Sequence, residues 1–263
     1  MPKISRPIVL MSVIVCFCAG HSIPQAAAQS PQERPLTRVG KSEAVEEATV
    51  VDPDHISESS RIRGELFWIG SKDDDLVTEK LPGEKNTVAH VIARPWRTFE
   101  WEDNLSDLNQ YINKTACRSE LILVGSVVSK TSQLTEYRDY VFTDYEVKIE
   151  EVLKNNTSAR LETSGLIVIS SGGGAVKVGD RIIRLGDKSW AQYKKGVRYL
   201  FFLKYAPTAA VYQGIIGDNS FALYADRVDV PDDPHYQDFN HQLINRSGSS
   251  LIEQVRRAET NCR

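Results

Sequence analysis

The sequence predicts a mainly β domain of antiparallel strands, and two observations carry that prediction. From Thr143 to Glu150 the chain alternates strictly, with Thr143, Tyr145, Val147 and Ile149 on one side and Asp144, Glu146, Lys148 and Glu150 on the other. A period of two marks a strand with one face buried and one in water. Further apolar blocks recur at Leu121–Val128, Leu166–Ser170, Arg181–Leu185, Val197–Tyr205, Ala210–Ile216 and Ser220–Tyr224. Residues of turn type separate most of them.

Taken in order, residues 1–28 read as a signal peptide. Lys3 and Arg6 precede the apolar stretch Ile8–Ala19, which is too short to span a bilayer, and Ala26-Ala27-Ala28 supplies a small-residue cleavage site. Export to a periplasmic or extracellular compartment follows, with no membrane span left after cleavage. The chain of 263 residues has a formal charge of −3. Loss of Lys3 and Arg6 makes it more acidic, which argues against nucleic acid as a partner. Cys16 and Cys18 leave with the leader. Cys117 and Cys262 remain, and one pair in an oxidising compartment reads as one disulfide. Two free thiols or a redox pair are the alternatives. Closing so long a loop is worth about 5 kcal/mol by the chain-entropy account.

Residues 29–63 are polar and without sustained period, which predicts a flexible segment. Residues 64–103 form an N-terminal extension with short strands: the cluster GELFWIG and Val88–Ile92 either pair as a hairpin or add to the main sheet. The main domain is 104–263. Asn104 is set to cap a helix carrying Leu105, Leu108 and Ile112, which leads into Leu121–Val128, apolar on both faces and interrupted by Gly125. A glycine there marks a bulge or the sharp coil of a first barrel strand. Ser129–Asp139 reads as a polar connection, and a bulge is expected at Glu150-Glu151. Gly172-Gly173-Gly174 precedes a hairpin pattern with a Gly179-Asp180 turn. A phosphate loop would instead open a helix, so the triplet reads as a β-connection. Val197–Tyr205 is apolar on both sides. Gly217-Asp218-Asn219 reads as a hairpin turn, and Ser250-x-x-Glu253 as the capping box of a last helix.

In this order the motifs resemble the netrin-like group of OB-type barrels, which includes the inhibitory domain of tissue inhibitors of metalloproteinases. They are Cys117 with ELILVGSVV, TDYEVKIEEVLK, Gly172-Gly173, GVRYLFFL, the hairpin ending at Phe221 and the helix Leu251–Ala258. The resemblance implies a small antiparallel OB-like barrel of five to seven strands, with short flanking helices and a partly disordered N-terminal extension. It does not imply inhibition, because those inhibitors act through a cysteine at the mature N-terminus and Cys117 lies far inside this chain.

Chemistry is sparse. His235, Asp238 and His241, in Pro231–His241, are the candidate metal ligands, though their spacing matches no established motif. There is no G-x-S-x-G or H-E-x-x-H, and no cofactor is expected. By analogy with OB-type barrels, which bind along one sheet face and its adjoining loops, Tyr137, Tyr140, Phe142 and Trp190 are candidates for an exposed recognition surface. The expected function is that of a non-enzymatic interaction module for a protein or envelope component. Its alternatives are a metal-dependent hydrolase using Pro231–His241, or a purely structural envelope protein.

Overall fold

The chain folds, in a computed structural model, mainly into β-strands, with three short helices among the described residues. The structure describes residues 48–52, 54–67, 76–79, 87–92, 107–138, 140–187, 192–215, 220–224, 227–229, 242–243 and 246–262. In chain order the elements are β1 (Thr49–Val50), α1 (Glu58–Gly64), a single 3-10 turn (Glu65–Phe67), β2 (Leu76–Glu79), β3 (Thr87–Ile92), α2 (Leu108–Arg118), β4 (Leu121–Leu134) and β5 (Val141–Asn155). There follow β6 (Leu166–Gly172), β7 (Gly174–Val178), β8 (Arg181–Asp187), β9 (Arg198–Ala206), β10 (Val211–Gly214), β11 (Ser220–Leu223), β12 (Val228–Asp229) and α3 (Gly248–Thr260). The signal segment, Trp190, Gly217-Asp218-Asn219 and Pro231–His241 lie outside the described residues.

The strands form two sheets. One has the order β10-β6-β5-β4-β9-β11-β12, and β10 pairs with β9 as well, so that β4, β5, β6, β10 and β9 make a hydrogen-bonded ring of five strands. Antiparallel pairings build the ring except between β6 and β10, which run parallel and meet at Tyr212↔Ile169. The second sheet has the order β1-β7-β8-β3-β2. Thus β3 of the extension joins the β7–β8 hairpin in parallel, and its own hairpin partner is Leu76–Glu79, not the GELFWIG cluster.

Bulges let β4 and β5 bend around the ring. The register shifts at Ile122/Leu123, Val124/Gly125 and Val127/Ser129, and the second shift leaves Glu150 without an opposite number, where the sequence predicted a bulge. Gly125 permits the close approach. A Cβ there would lie 2.7 Å from the Lys148 carbonyl oxygen and 2.7 Å from Val147 Cγ1. The Gly173-Gly174 link carries the chain from the ring into the second sheet at φ of 89° and 136°.

Three apolar clusters follow from these two-sided strands. Leu121, Leu123, Tyr145, Val147, Ile149 and Phe201 fill the ring interior, and Tyr193 is wedged among Tyr145, Tyr199 and Phe201 with centroids 4.9, 5.3 and 5.2 Å away. The opposite side chains of the same strands, Ile122, Val124, Leu200 and Phe202, pack under α2 and α3 through Leu108, Tyr111, Ile112, Leu251 and Val255. Each such fully buried side chain contributes about 2 kcal/mol. Phe67, Leu134, Tyr140, Phe142, Val176 and Leu185 form the third, where the far end of β4–β5 meets the second sheet. Cys117, on α2, is bonded to Cys262, just past α3, across a separation of 145 residues, with Cα atoms 5.2 Å apart. The disulfide fastens the two helices to each other.

Several expectations need correction. Thr49–Val50 and Glu58–Gly64 are ordered, so this part of the segment expected to be flexible packs on the fold; Ser57 caps α1 by accepting from Ser60 N at 3.1 Å. The strand expected to end at Val128 runs to Leu134. Helix α2 is capped by Asp107, not by Asn104, and α3 by Ser247, one turn before the predicted box. β10 and β11 do not pair with each other. Both run antiparallel along the same edge of β9, β10 against 203–206 and β11 against 199–201, so they form one interrupted strand.

Candidate functional site

Of the four aromatic residues nominated as a recognition surface, only Tyr137 is shown at the surface, 72% exposed in the β4–β5 turn. Arg138 takes a left-handed φ of 59° there and pairs with Asp54 at 2.9 Å. Tyr140 and Phe142 are buried. The Phe67 ring stacks on both, 5.8 Å from Tyr140 and 5.2 Å from Phe142, so they are core and not platform. The physical reason is the 3-10 turn after α1, which delivers Phe67 onto this face. Trp190, His235, Asp238 and His241 lie outside the described residues. Among the described residues no group of three or more His, Cys, Asp or Glu is placed to hold a metal ion.

The same turn of chain overturns the expectation that Asp144 lies in water. Asp144 is buried at 5% exposure, while Glu146, Lys148 and Glu150, further along the same side of β5, are exposed. Alternation reports which side a residue occupies and is silent on what later covers that side. Here α1 covers it. Arg63 Nη1 donates to Asp144 Oδ2 at 2.6 Å, Gln133 Nε2 donates to the same oxygen, and Ser170 Oγ donates to Oδ1. Ser60 of α1 in turn donates to Gln133 Oε1. A buried charge must be paired and hydrogen-bonded, and three donors meet that requirement. These bonds position α1 on the sheet.

Beyond α1 the outer face of β5–β6 is open. Leu166 stands opposite Lys148 and is 61% exposed, Val168 stands opposite Glu146, and Val128 bulges from β4 at the same level. Ser129 Oγ donates to Glu146, and Arg198 Nε donates to Glu150 at 2.6 Å. Burial by itself would raise the Glu150 carboxyl, but the hydrogen bonds from Ser126 and Arg198 and the Arg198 charge hold it below the ordinary range. The result is a mixed strip, apolar groups interleaved with ion-paired ones.

The outer side of β4 and β9 is closed by α2 and α3. At its margin Lys154 is buried, and its Nζ donates to the Ala116 carbonyl at 2.8 Å and the Cys117 carbonyl at 3.3 Å, at the C-terminus of α2. Burial pushes the Lys154 ammonium down, and the Glu259 charge partly offsets this. A cation at the last carbonyls of a helix is favourably placed.

Sequence reasoning missed Arg63, Gln133 and Phe67 as one unit. The available signal was Ser57 with Glu58 and Arg61, a cap followed by an i,i+3 ion pair at 2.6 Å. No protein-family model matches the chain, and no curated protein matches it. Among the described residues no helix is long and apolar enough to cross a membrane.

Proposed function

We propose that this protein is an exported, non-enzymatic interaction module on an OB-like, netrin-like barrel, recognising a protein or envelope component through the outer face of β5–β6. Strand order supports the barrel: numbered within the ring, β4, β5, β6, β9 and β10 become strands one to five in the cyclic order 1-2-3-5-4. The second and third strands of such barrels, and the turns beside them, are the usual ligand-bearing face.

The observation that carries the functional reading is the uneven cover of the ring. Apolar helices seal the outer side of β4 and β9, whereas the middle of β5–β6 keeps Leu166 at 61% exposure among Glu146, Lys148 and Glu150. Apolar groups rimmed by charges are what a protein-binding patch presents. The test is a photo-crosslinking residue at Leu166, with the exposed Lys204 of β9 as its control, in cells producing the full chain. A discrete adduct from position 166 and none from 204 is expected. No adduct from 166, or the same adducts from both, would overturn the reading and favour a purely structural envelope protein.

A further inference from the structure

Two chemically different anchors hold the α1 segment on the β5–β6 face: the Arg63 guanidinium on Asp144 and the Phe67 ring on Phe142. They lie four residues apart in sequence. The Asp144 side chain is 7% exposed, yet Arg63 engages it through one nitrogen, and the buried Arg63 Nε has no hydrogen-bond partner. A guanidinium well placed on a carboxylate makes two parallel bonds. Arg63 therefore falls short of what the site offers. Release of α1 would uncover Asp144, Gln133 and Ser170, polar groups that water solvates, and the apolar opposition to it comes from Phe67 and the partly buried Leu66.

We propose that the Asp144 end of the β5–β6 face is a docking site for a partner protein segment that presents an arginine and an aromatic residue one helical turn apart, and that Arg63 and Phe67 occupy it in cis in the free protein. The proposal rests on the β5–β6 reading and adds the partner's chemistry and a means of regulation. Arginine and aromatic groups four residues apart share one helix face, the spacing by which a helix lays anchors into a site. Charge complementarity specifies the cation: a buried carboxylate accepts a guanidinium fork, and an aliphatic segment would strand it. The tethered segment competes at an effective concentration on the order of millimolar, so weak ligands stay out. A partner whose guanidinium makes both bonds displaces it.

The test uses the full chain and a fluorescent peptide of its own Ser57–Phe67 sequence, titrated by anisotropy. Arg63→Ala with Phe67→Ala in the chain empties the site and is expected to tighten peptide binding at least tenfold over the unmodified chain. Asp144→Asn added to that background is expected to abolish binding, and lysine at the peptide's arginine position to weaken it. Arg63→Lys with Phe67→Leu, a milder pair of changes that weakens the occupant in cis, is expected to tighten peptide binding by a smaller factor, which keeps the test decisive if the alanine variant fails to fold. Equal binding by the unmodified chain and both double variants, binding indifferent to Asp144→Asn, or no binding to any chain would overturn the proposal. An adduct from Leu166 that persists when the peptide fails would leave the interaction module standing and remove only this partner.

Discussion

Helices are docked on the ring in two ways, and the contrast separates the permanent part of the fold from the exchangeable one. Helices α2 and α3 bury Leu108, Tyr111, Ile112, Leu251 and Val255 completely and are joined by Cys117–Cys262. Helix α1 buries only Ser60 and Gly64 of its own residues and is held by Arg63–Asp144 and Ser60–Gln133. Apolar burial is non-directional and is not screened by salt as an ion pair is, so the first dock is part of the core. The second depends on geometry and charge, and water can stand in for much of it. What the difference teaches is that a short helix without an apolar stripe can still decide which face of a strand is buried.

The comparison can be broken at four points, in descending order of effect. Cys117→Ser with Cys262→Ser should lower stability by up to about 5 kcal/mol, the chain-entropy value for so long a loop; urea unfolding measures it, and an unchanged midpoint would mean the helix layer holds without its tie. Leu251→Ala leaves a cavity between α3 and the ring and should cost about 3 kcal/mol in the same assay. Arg63→Ala should cost less, about 1–2 kcal/mol, because α1 frays and water solvates Asp144. Hydrogen exchange should then accelerate over 57–67 and not over α2 or α3, whereas a loss of 3 kcal/mol or more would place α1 in the permanent core. Glu150→Gln should have the smallest effect, under about 1 kcal/mol, since its ion pair with Arg198 is partly exposed and screened.

That last variant also carries a pH signature. Glu150 has its folded value held below the ordinary 4.5, so between the two values the unfolded chain binds the proton more readily than the folded one. The stabilisation is therefore present above pH 4.5 and lost as pH falls through the folded value. Acid titration of stability should be shallower in Glu150→Gln, and identical profiles would remove Glu150 from the account.

Much of the fold was readable from side-chain periodicity. The alternation of Thr143–Glu150, the double-sided Val197–Tyr205 strand and the apolar side of α3 each report a local period, and each places its residues on the side the period says, although Asp144 is covered there by α1. The candidate site was less readable. Tyr140 and Phe142 were nominated as surface by analogy with OB-type barrels, and Phe67 covers them from a distant segment. The separation of β10 from β11 was hidden for a related reason. Gly217-Asp218-Asn219 has the composition of a hairpin turn, but β9 offers one long edge that both strands take in succession.

By itself the sequence determined the main strands, their two-sided burial, the amphipathic last helix and the expectation that Cys117 pairs with Cys262, because each depends on local pattern or on cysteine count. Tertiary structure alone decided the closure of β6 on β10, the second sheet that β3 completes, and the burial of Asp144 under α1. The reason is physical: a strand's period records that one face is covered but not by what, and long-range pairing places the cover.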